Sequence, residues 1–156
     1  MKHSAGLLIY REKSGHKEVF LVHPGGPYWT NRDIAAWSIP KGEFEEDEEP
    51  LHAARREFSE ETGLEVPAGI PLPLEPVKQP SRKVVHAWYL EGNVDTRAVR
   101  SNLFEMEWPP GSGKMQEFPE VDKAEWYSLA EAKLKIHKGQ VALIEQLEEA
   151  LEINNV

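Results

Sequence analysis

Cysteine is absent from the 156 residues, which excludes disulfides, thiolate metal sites and a cysteine nucleophile. Long hydrophobic runs are absent too, so no transmembrane helix is expected. The opening MKHSAGLLIYREKSG carries an apolar stretch too short for a signal peptide, and charge follows at once. A soluble cytoplasmic protein is the expectation. Basic residues are few, 18 Lys and Arg against 27 Asp and Glu, for a net charge of −9. A general nucleic-acid binder carries a basic footprint, so no stable nucleic-acid partner is expected. A small phosphorylated substrate stays open, provided that a cation supplies positive charge locally. Internal repeats, low-complexity segments and long linkers are also missing. Residues 1–156 therefore read as a single domain, long enough to bury a sizeable core and either monomeric or homodimeric.

What the chain has in plenty is acid, gathered in one stretch. From Gly42 to Leu64, Asp or Glu stands at positions 43, 45–49, 57, 60 and 61, with Glu65 just beyond. Leu51 to Thr62 has helical composition: Leu51, Ala54 and Phe58 recur at helical intervals, and Gly63 falls where a C-cap belongs. Pro50 suits the first turn. Glu57, Glu60 and Glu61 then stand at i, i+3 and i+4, with Cβ atoms roughly 5–6 Å apart on one face. Carboxylates held that close repel one another. A hard divalent cation with oxygen ligands removes the repulsion, and Mg²⁺ commonly bridges carboxylates to substrate phosphates.

Around this stretch the chain reads as strands and loops. Ser4–Arg11 and Lys17–His23 are expected strands, joined as a hairpin through Ser14-Gly15-His16. Pro24 to Trp29 is a loop by its Pro and Gly content, yet it carries Tyr28 and Trp29. Two large aromatics in a loop either cover a core edge or form a lip that stacks on a base. Ala36–Ile39 is read as a short strand feeding Pro40-Lys41-Gly42. Lys41 is read as a phosphate contact or an ion-pair partner of the acidic loop. Five prolines between 67 and 80 exclude a central strand there, leaving an edge strand at 72–77. Lys83–Leu90 is the clearest strand of the second half. Before it, Arg82 and Lys83 in a turn are candidate phosphate contacts, and His86 within it is read as a core or pocket-wall residue. Leu103–Trp108 and Ala124–Ser128 are further strands, with a loop over 109–114 and Met115–Asp122 leading into the second of them. Two helices, over 129–136 and 140–151, close the chain. In the second, Val141, Ile144, Leu147 and Leu151 form a packing face.

The acidic stretch also fits a family pattern. Gly42, Glu48, Arg56-Glu57, Phe58, Glu60-Glu61, Gly63 and Leu64 stand at the offsets of the Nudix box, and the chain resembles a Nudix hydrolase. The resemblance implies an α/β/α sandwich with a mixed sheet, which the element order suits. It implies hydrolysis of a phosphoanhydride bond in a nucleoside diphosphate linked to another group, with Mg²⁺, or Mn²⁺, as cofactor. It implies Glu57, Glu60 and Glu61 as the box carboxylates and metal ligands, the Gly42 carbonyl as a further ligand, and Arg56 as the residue that holds the box glutamates in place. The general base varies in this family. A box glutamate or a later-loop glutamate, here Glu117 or Glu120, is a candidate. Trp37-x-x-Pro40-Lys41-Gly42 is similar to the subgroups acting on dinucleoside polyphosphates and diphosphoinositol polyphosphates. Trp37 therefore joins Tyr28 and Trp29 as a candidate for the substrate side. Nucleoside triphosphates, ADP-ribose and nucleotide sugars remain alternatives, as does a non-catalytic nucleotide sensor. The isomerase branch of the superfamily uses a cysteine, and this chain has none.

Overall fold

The structure, a computed structural model, describes residues 2–154. Its centre is strand β1 (His3–Lys13), in which residues 4–9 are all buried. A strand covered on both faces needs the near-continuous apolar run Ala-Gly-Leu-Leu-Ile found there. Strand β6 (Val84–Glu91) runs parallel along one edge of β1, from His3↔Val84 to Tyr10↔Glu91. The other edge is shared. Strand β2 (His16–Pro24) pairs antiparallel with residues 10–13, and the short β3 (Lys41–Glu43) pairs antiparallel with residues 4–6. The hairpin therefore splays beyond Tyr10, and β3 enters the gap. Strand β9 (Val121–Ser128) adds to the outer edge of β2. At the opposite end, β4 (Leu72–Pro73) and β5 (Val77–Lys78) both pair with β6. Strands β7 (Leu103–Glu107) and β8 (Met115–Pro119) form a separate two-stranded hairpin.

Alternation along the strands makes two cores. Ala5, Leu7, Ile9, Phe20 and Val22 meet Ala53, Ala54 and Phe58 of helix α1 (Pro50–Thr62) on one face. Leu8, Val19, Leu21, Val85 and Ala87 meet Ala132 of α2 (Leu129–Lys135) and Leu143, Ile144, Leu147 and Leu151 of α3 (Val141–Asn154) on the other. The result is the expected α/β/α arrangement around a mixed sheet. Among the described residues, no helix is long and apolar enough to cross a membrane.

Helix α1 begins and ends on local signals. The Glu49 carboxylate accepts from the Leu51 and His52 N–H groups, at 3.2 and 3.0 Å, and satisfies two donors that a helix start leaves free. Gly63 closes it at φ 71°, its N–H donating to the Ser59 carbonyl at 2.8 Å.

Three local expectations are corrected. Ala36–Ile39 is not a strand: Trp37 and Ser38 make only isolated bridges, Trp37 to Ile136 and Ser38 to Val22. The splay of β2 from β1 leaves that segment no continuous edge to follow. The edge strand over 72–77 is broken in two, because Pro73 and Pro76 remove the donors a continuous ladder needs. Residues 115–119 do not lead straight into the last strand; they pair back on β7.

Candidate active site

Gly42 lies in β3 directly against the helix. A Cβ at Gly42 would stand 2.0 Å from the Glu57 carboxyl, so the close approach of strand and carboxylate requires glycine there. One residue earlier, the Lys41 N–H donates to Glu61 Oε2 at 3.0 Å. Two carboxylates one turn apart on α1 are thus seated against two successive residues of β3.

Arg56 binds the rest. Its Nε and one terminal nitrogen donate to the two oxygens of Glu48 at 2.8 and 2.9 Å, a bidentate pair. The other terminal nitrogen donates to Glu57 Oε1 at 2.8 Å and Glu60 Oε2 at 3.1 Å. These contacts raise the Arg56 pKa, Glu48 contributing most, and the same bond lowers that of Glu48. The planar guanidinium serves three carboxylates from one position, which a lysine cannot do.

Three carboxyl groups around this arginine have raised pKa values. Burial pushes Glu61 up to about 8, against the opposing Lys41 N–H; Glu57 and Glu120 add to the rise. Burial also raises Glu57, opposed by Arg56 and assisted by Glu60 and Glu120. Glu120 is raised by burial first and by Glu60 second. Four carboxylates therefore sense one another, three from α1 and one from the connection between β8 and β9. Lys41 stands beside them with its pKa lowered, chiefly by loss of water and also by Lys83, while Glu61 pulls it back.

Among the described residues, no three acidic or histidine side chains are drawn together as a ready metal cage. The cause is visible: Glu57 and Glu60 turn to Arg56, and Glu61 turns to the Lys41 N–H. The Cβ spacing read from the sequence places these residues on one side of α1, yet their carboxyl groups fan apart. The donor set itself suits a hard divalent cation. It is all oxygen, it is partly desolvated, and its mutual repulsion leaves an uncompensated negative charge.

The other expected site residues divide. Glu117 is exposed in the middle of β8, opposite Glu105, whereas Glu120 is the later glutamate whose charge reaches Glu57 and Glu61. Trp37 is a correction. It is 1% exposed, wedged edge-on against His23 and Tyr127, with its indole N–H donating to Asp33 at 2.9 Å, so it offers no face to a ligand. Trp29 is half-buried, packs on the core beneath α3 and carries Arg32 over its ring. Tyr28 points outward, 57% exposed, and meets Trp108 edge to face at 5.2 Å. Lys83 pairs with Glu43 at 3.3 Å, and Arg82 is exposed in its turn. Sequence reasoning did not single out His23, Asp122 or Trp108; no spacing signal marks them, because their partners come from distant parts of the chain.

Comparison with known proteins gives the family and agrees with the fold. The NUDIX domain family model matches residues 2–147. An RNA pyrophosphohydrolase from Bartonella henselae is 33% identical over 67 residues, 40% of this chain; the match spans only 36% of that relative's length. Among solved structures, the Caenorhabditis elegans Ap4A hydrolase, as a binary complex, aligns with TM-score 0.61 at 22% identity, over 97% of this chain and 98% of that one. The NUDIX domain of Shewanella oneidensis NrtR, complexed with ADP ribose, aligns with TM-score 0.64 at 17% identity, over 96% and 87%. At such identities the two structures speak to the fold alone.

Proposed function

The chain belongs to the Nudix family, and we propose that it is a hydrolase of a phosphoanhydride bond in a nucleoside diphosphate linked to another group. Members of the family generally use divalent metal ions, and we take Mg²⁺ as the ion here, with Mn²⁺ able to replace it. The observation that carries the reading is the gathering of Glu57, Glu60, Glu61 and Glu120 beside Gly42 and Lys41, with Arg56 tying Glu48 to Glu57 and Glu60. A structural acidic patch needs no burial like that of Glu57 and Glu61, whose desolvation would be a cost without return.

Glu57, Glu60, Glu61 and the Gly42 carbonyl are the groups that would hold the cation. Bound there, a divalent ion would neutralise phosphate charge and make a coordinated water more acidic. The protein's own part is positioning and charge. Lys41 and Lys83, on the side of Glu61 and Glu43, supply cations for the phosphates. Arg56 fixes the rotamers of Glu57 and Glu60 so that little rearrangement is needed when charge develops on the substrate. Glu120 carries a raised pKa and comes from a different element, which suits a proton acceptor for the attacking water. Tyr28, exposed on its loop, is the aromatic side chain we assign to stacking on a base. A dinucleoside polyphosphate or a nucleoside triphosphate is the favoured substrate, with ADP-ribose or a nucleotide sugar as the alternative.

The test is a product-resolved screen of Ap4A, ATP and ADP-ribose with Mg²⁺, with Mn²⁺, and with chelator. Turnover that vanishes with chelator while the fold persists is expected. Binding of nucleotide without turnover under either metal would instead make the chain a sensor module, and full turnover in chelator would reject the site.

A further inference from the structure

Asp122 is an extra residue in its strand. The β2–β9 ladder runs evenly from Glu18↔Ser128 to His23↔Lys123, then jumps to Pro24↔Val121. Asp122 is thereby left without a cross-strand partner, the signature of a β-bulge, and bulges re-aim side chains at the ends of strands. Its carboxylate reaches His23 Nδ1 at 2.8 Å. The other ring nitrogen of His23 donates to the Arg32 carbonyl at 2.6 Å. His23 is fully buried, its edge against Trp37. A buried polar side chain with both nitrogens engaged is a fixed point.

Two residues from this pin stands Glu120. Its main chain is held on both sides: the Gly25 N–H donates to the Glu120 carbonyl at 2.9 Å, and the Glu120 N–H donates to the Asn102 carbonyl at 2.9 Å. A Cβ at Gly25 would stand 1.9 Å from the Pro119 carbonyl, so the two segments touch backbone to backbone. Residues 100–102 are tied in turn to the end of α1: the Arg100 N–H donates to the Thr62 carbonyl at 2.7 Å, and the Asn102 N–H to the Glu60 carbonyl at 3.3 Å. The Ser101 hydroxyl completes the join, accepting from the Val121 N–H at 3.0 Å and donating to the Val121 carbonyl at 3.1 Å.

We propose that the buried His23–Asp122 pair is a positioning device for Glu120: it locks the β9 bulge so that Glu120 projects toward the α1 carboxylates. The α1 strap sets how far Glu120 stands from the helix, and the pin sets its direction. Because His23 also holds the Arg32 carbonyl, the same residue ties the Tyr28 loop to the bulge. The proposal rests on Glu120 being the proton acceptor, and it adds that Asp122 acts through Glu120 alone.

A double-mutant cycle tests this on the whole chain, with Mg²⁺ and whichever of Ap4A and ADP-ribose turns over faster. E120Q is expected to lower kcat by about 10²-fold or more, in the range usual for loss of a general base. D122A is expected to lower kcat about 10-fold with KM within about 3-fold, and to cost under about 2-fold in the E120Q background. D122N keeps an acceptor for His23 and should recover most of kcat. Equal factors in both backgrounds, or unchanged kcat in D122A, overturn the pin. Should D122A not fold, the cycle is run with H23Q in its place, with D122N as the near-silent control. Equal losses in both backgrounds then overturn the proposal, and losses confined to the Glu120-containing background support it. If E120Q itself keeps full kcat while E61Q loses it, the hydrolase reading stands and both the role of Glu120 and this proposal fall. If neither loses activity, the hydrolase site is misplaced as well.

Discussion

Helices α1 and α3 cover opposite faces of one sheet, yet they are built for different tasks. Helix α3 buries Leu143, Ile144, Leu147 and Leu151. Helix α1 buries Ala53, Ala54, Phe58 and Thr62, mostly small side chains, and spends the neighbouring positions on Arg56, Glu57, Glu60 and Glu61. Small residues let α1 sit close enough to the sheet for Glu57 to touch Gly42 of β3. Its carboxylates are partly desolvated in consequence. One helix contributes stability through apolar area; the other gives some of it up to hold carboxyl groups partly out of water.

A pair of substitutions separates the two helices most strongly. Under the proposed function, Glu61→Gln removes a ligand of the cation that would neutralise developing phosphate charge. It should lower kcat by roughly 10²–10⁴-fold, about 3–5 kcal/mol of barrier, while metal-free stability holds or rises. Leu147→Ala should do the reverse, costing about 2–5 kcal/mol of stability with kcat per folded molecule kept. Steady-state kinetics beside thermal melting checks both. If Glu61→Gln unfolds the metal-free protein and keeps kcat, the two helices are alike and α1 is scaffold.

Next in size is Arg56→Lys. A lysine keeps the charge but cannot serve Glu48, Glu57 and Glu60 at once. Activity is expected to fall about 10–100-fold, with an apparent metal affinity lowered by a similar factor, as for residues that orient metal ligands. Glu48→Gln should follow in the same direction. None of the acidic neighbours of Glu48 shares its bidentate contact with Arg56. Kinetics across a Mg²⁺ titration measures both. An unchanged metal dependence in Arg56→Lys would leave Arg56 as a surface ion pair.

The loop aromatics offer a smaller effect and a sharper contrast. Tyr28→Ala should weaken nucleotide binding by about 1–3 kcal/mol, the range for base–aromatic stacking, with little change in melting temperature. Trp29→Ala should lower melting temperature and leave affinity nearly unchanged, since that ring packs on the core beneath α3. Calorimetry and melting on the two variants separate them; equal behaviour would undo the distinction.

How much of this was legible in the sequence depends on how local the signal is. Helix α1 and its glycine cap are set by offsets of a few residues, and they stand as read. Trp37 was misread because an aromatic before a glycine motif looks the same whether it faces a ligand or the core. What decides is the contact with His23 and Tyr127, far along the chain. Glu117 and Glu120 could not be told apart by spacing. Pairing of β8 with β7 puts Glu117 opposite Glu105, and the end of that pairing leaves Glu120 free to approach α1. The strand expected over residues 36–39 failed for a similar reason. Its apolar composition answers to burial between the two sheet strands and α2, and burial does not require a ladder.

The remaining expected effect lies in the pH dependence of the metal-free protein, and it too separates the two helices. Glu61 titrates at about 8 in the folded chain, raised by burial above the ordinary carboxylate value of 4.5. The folded state therefore binds a proton more tightly than the unfolded state does between those two values. Stability from this group is fully present below 4.5 and is lost as pH rises through 8. Glu57 and Glu120, also raised, act in the same direction. In chelator, the melting temperature should thus fall from pH 5 to pH 8. Glu61→Gln should flatten the fall, because an amide has no proton to lose, whereas Leu147→Ala should lower the whole curve without changing its slope. Saturating Mg²⁺ should reverse the trend, since a cation held by carboxylates competes with protons and stabilises most where they are ionised. A metal-free melting temperature that rises across this interval, or a slope untouched by Glu61→Gln, would show that the buried charge of α1 does not weigh on folding.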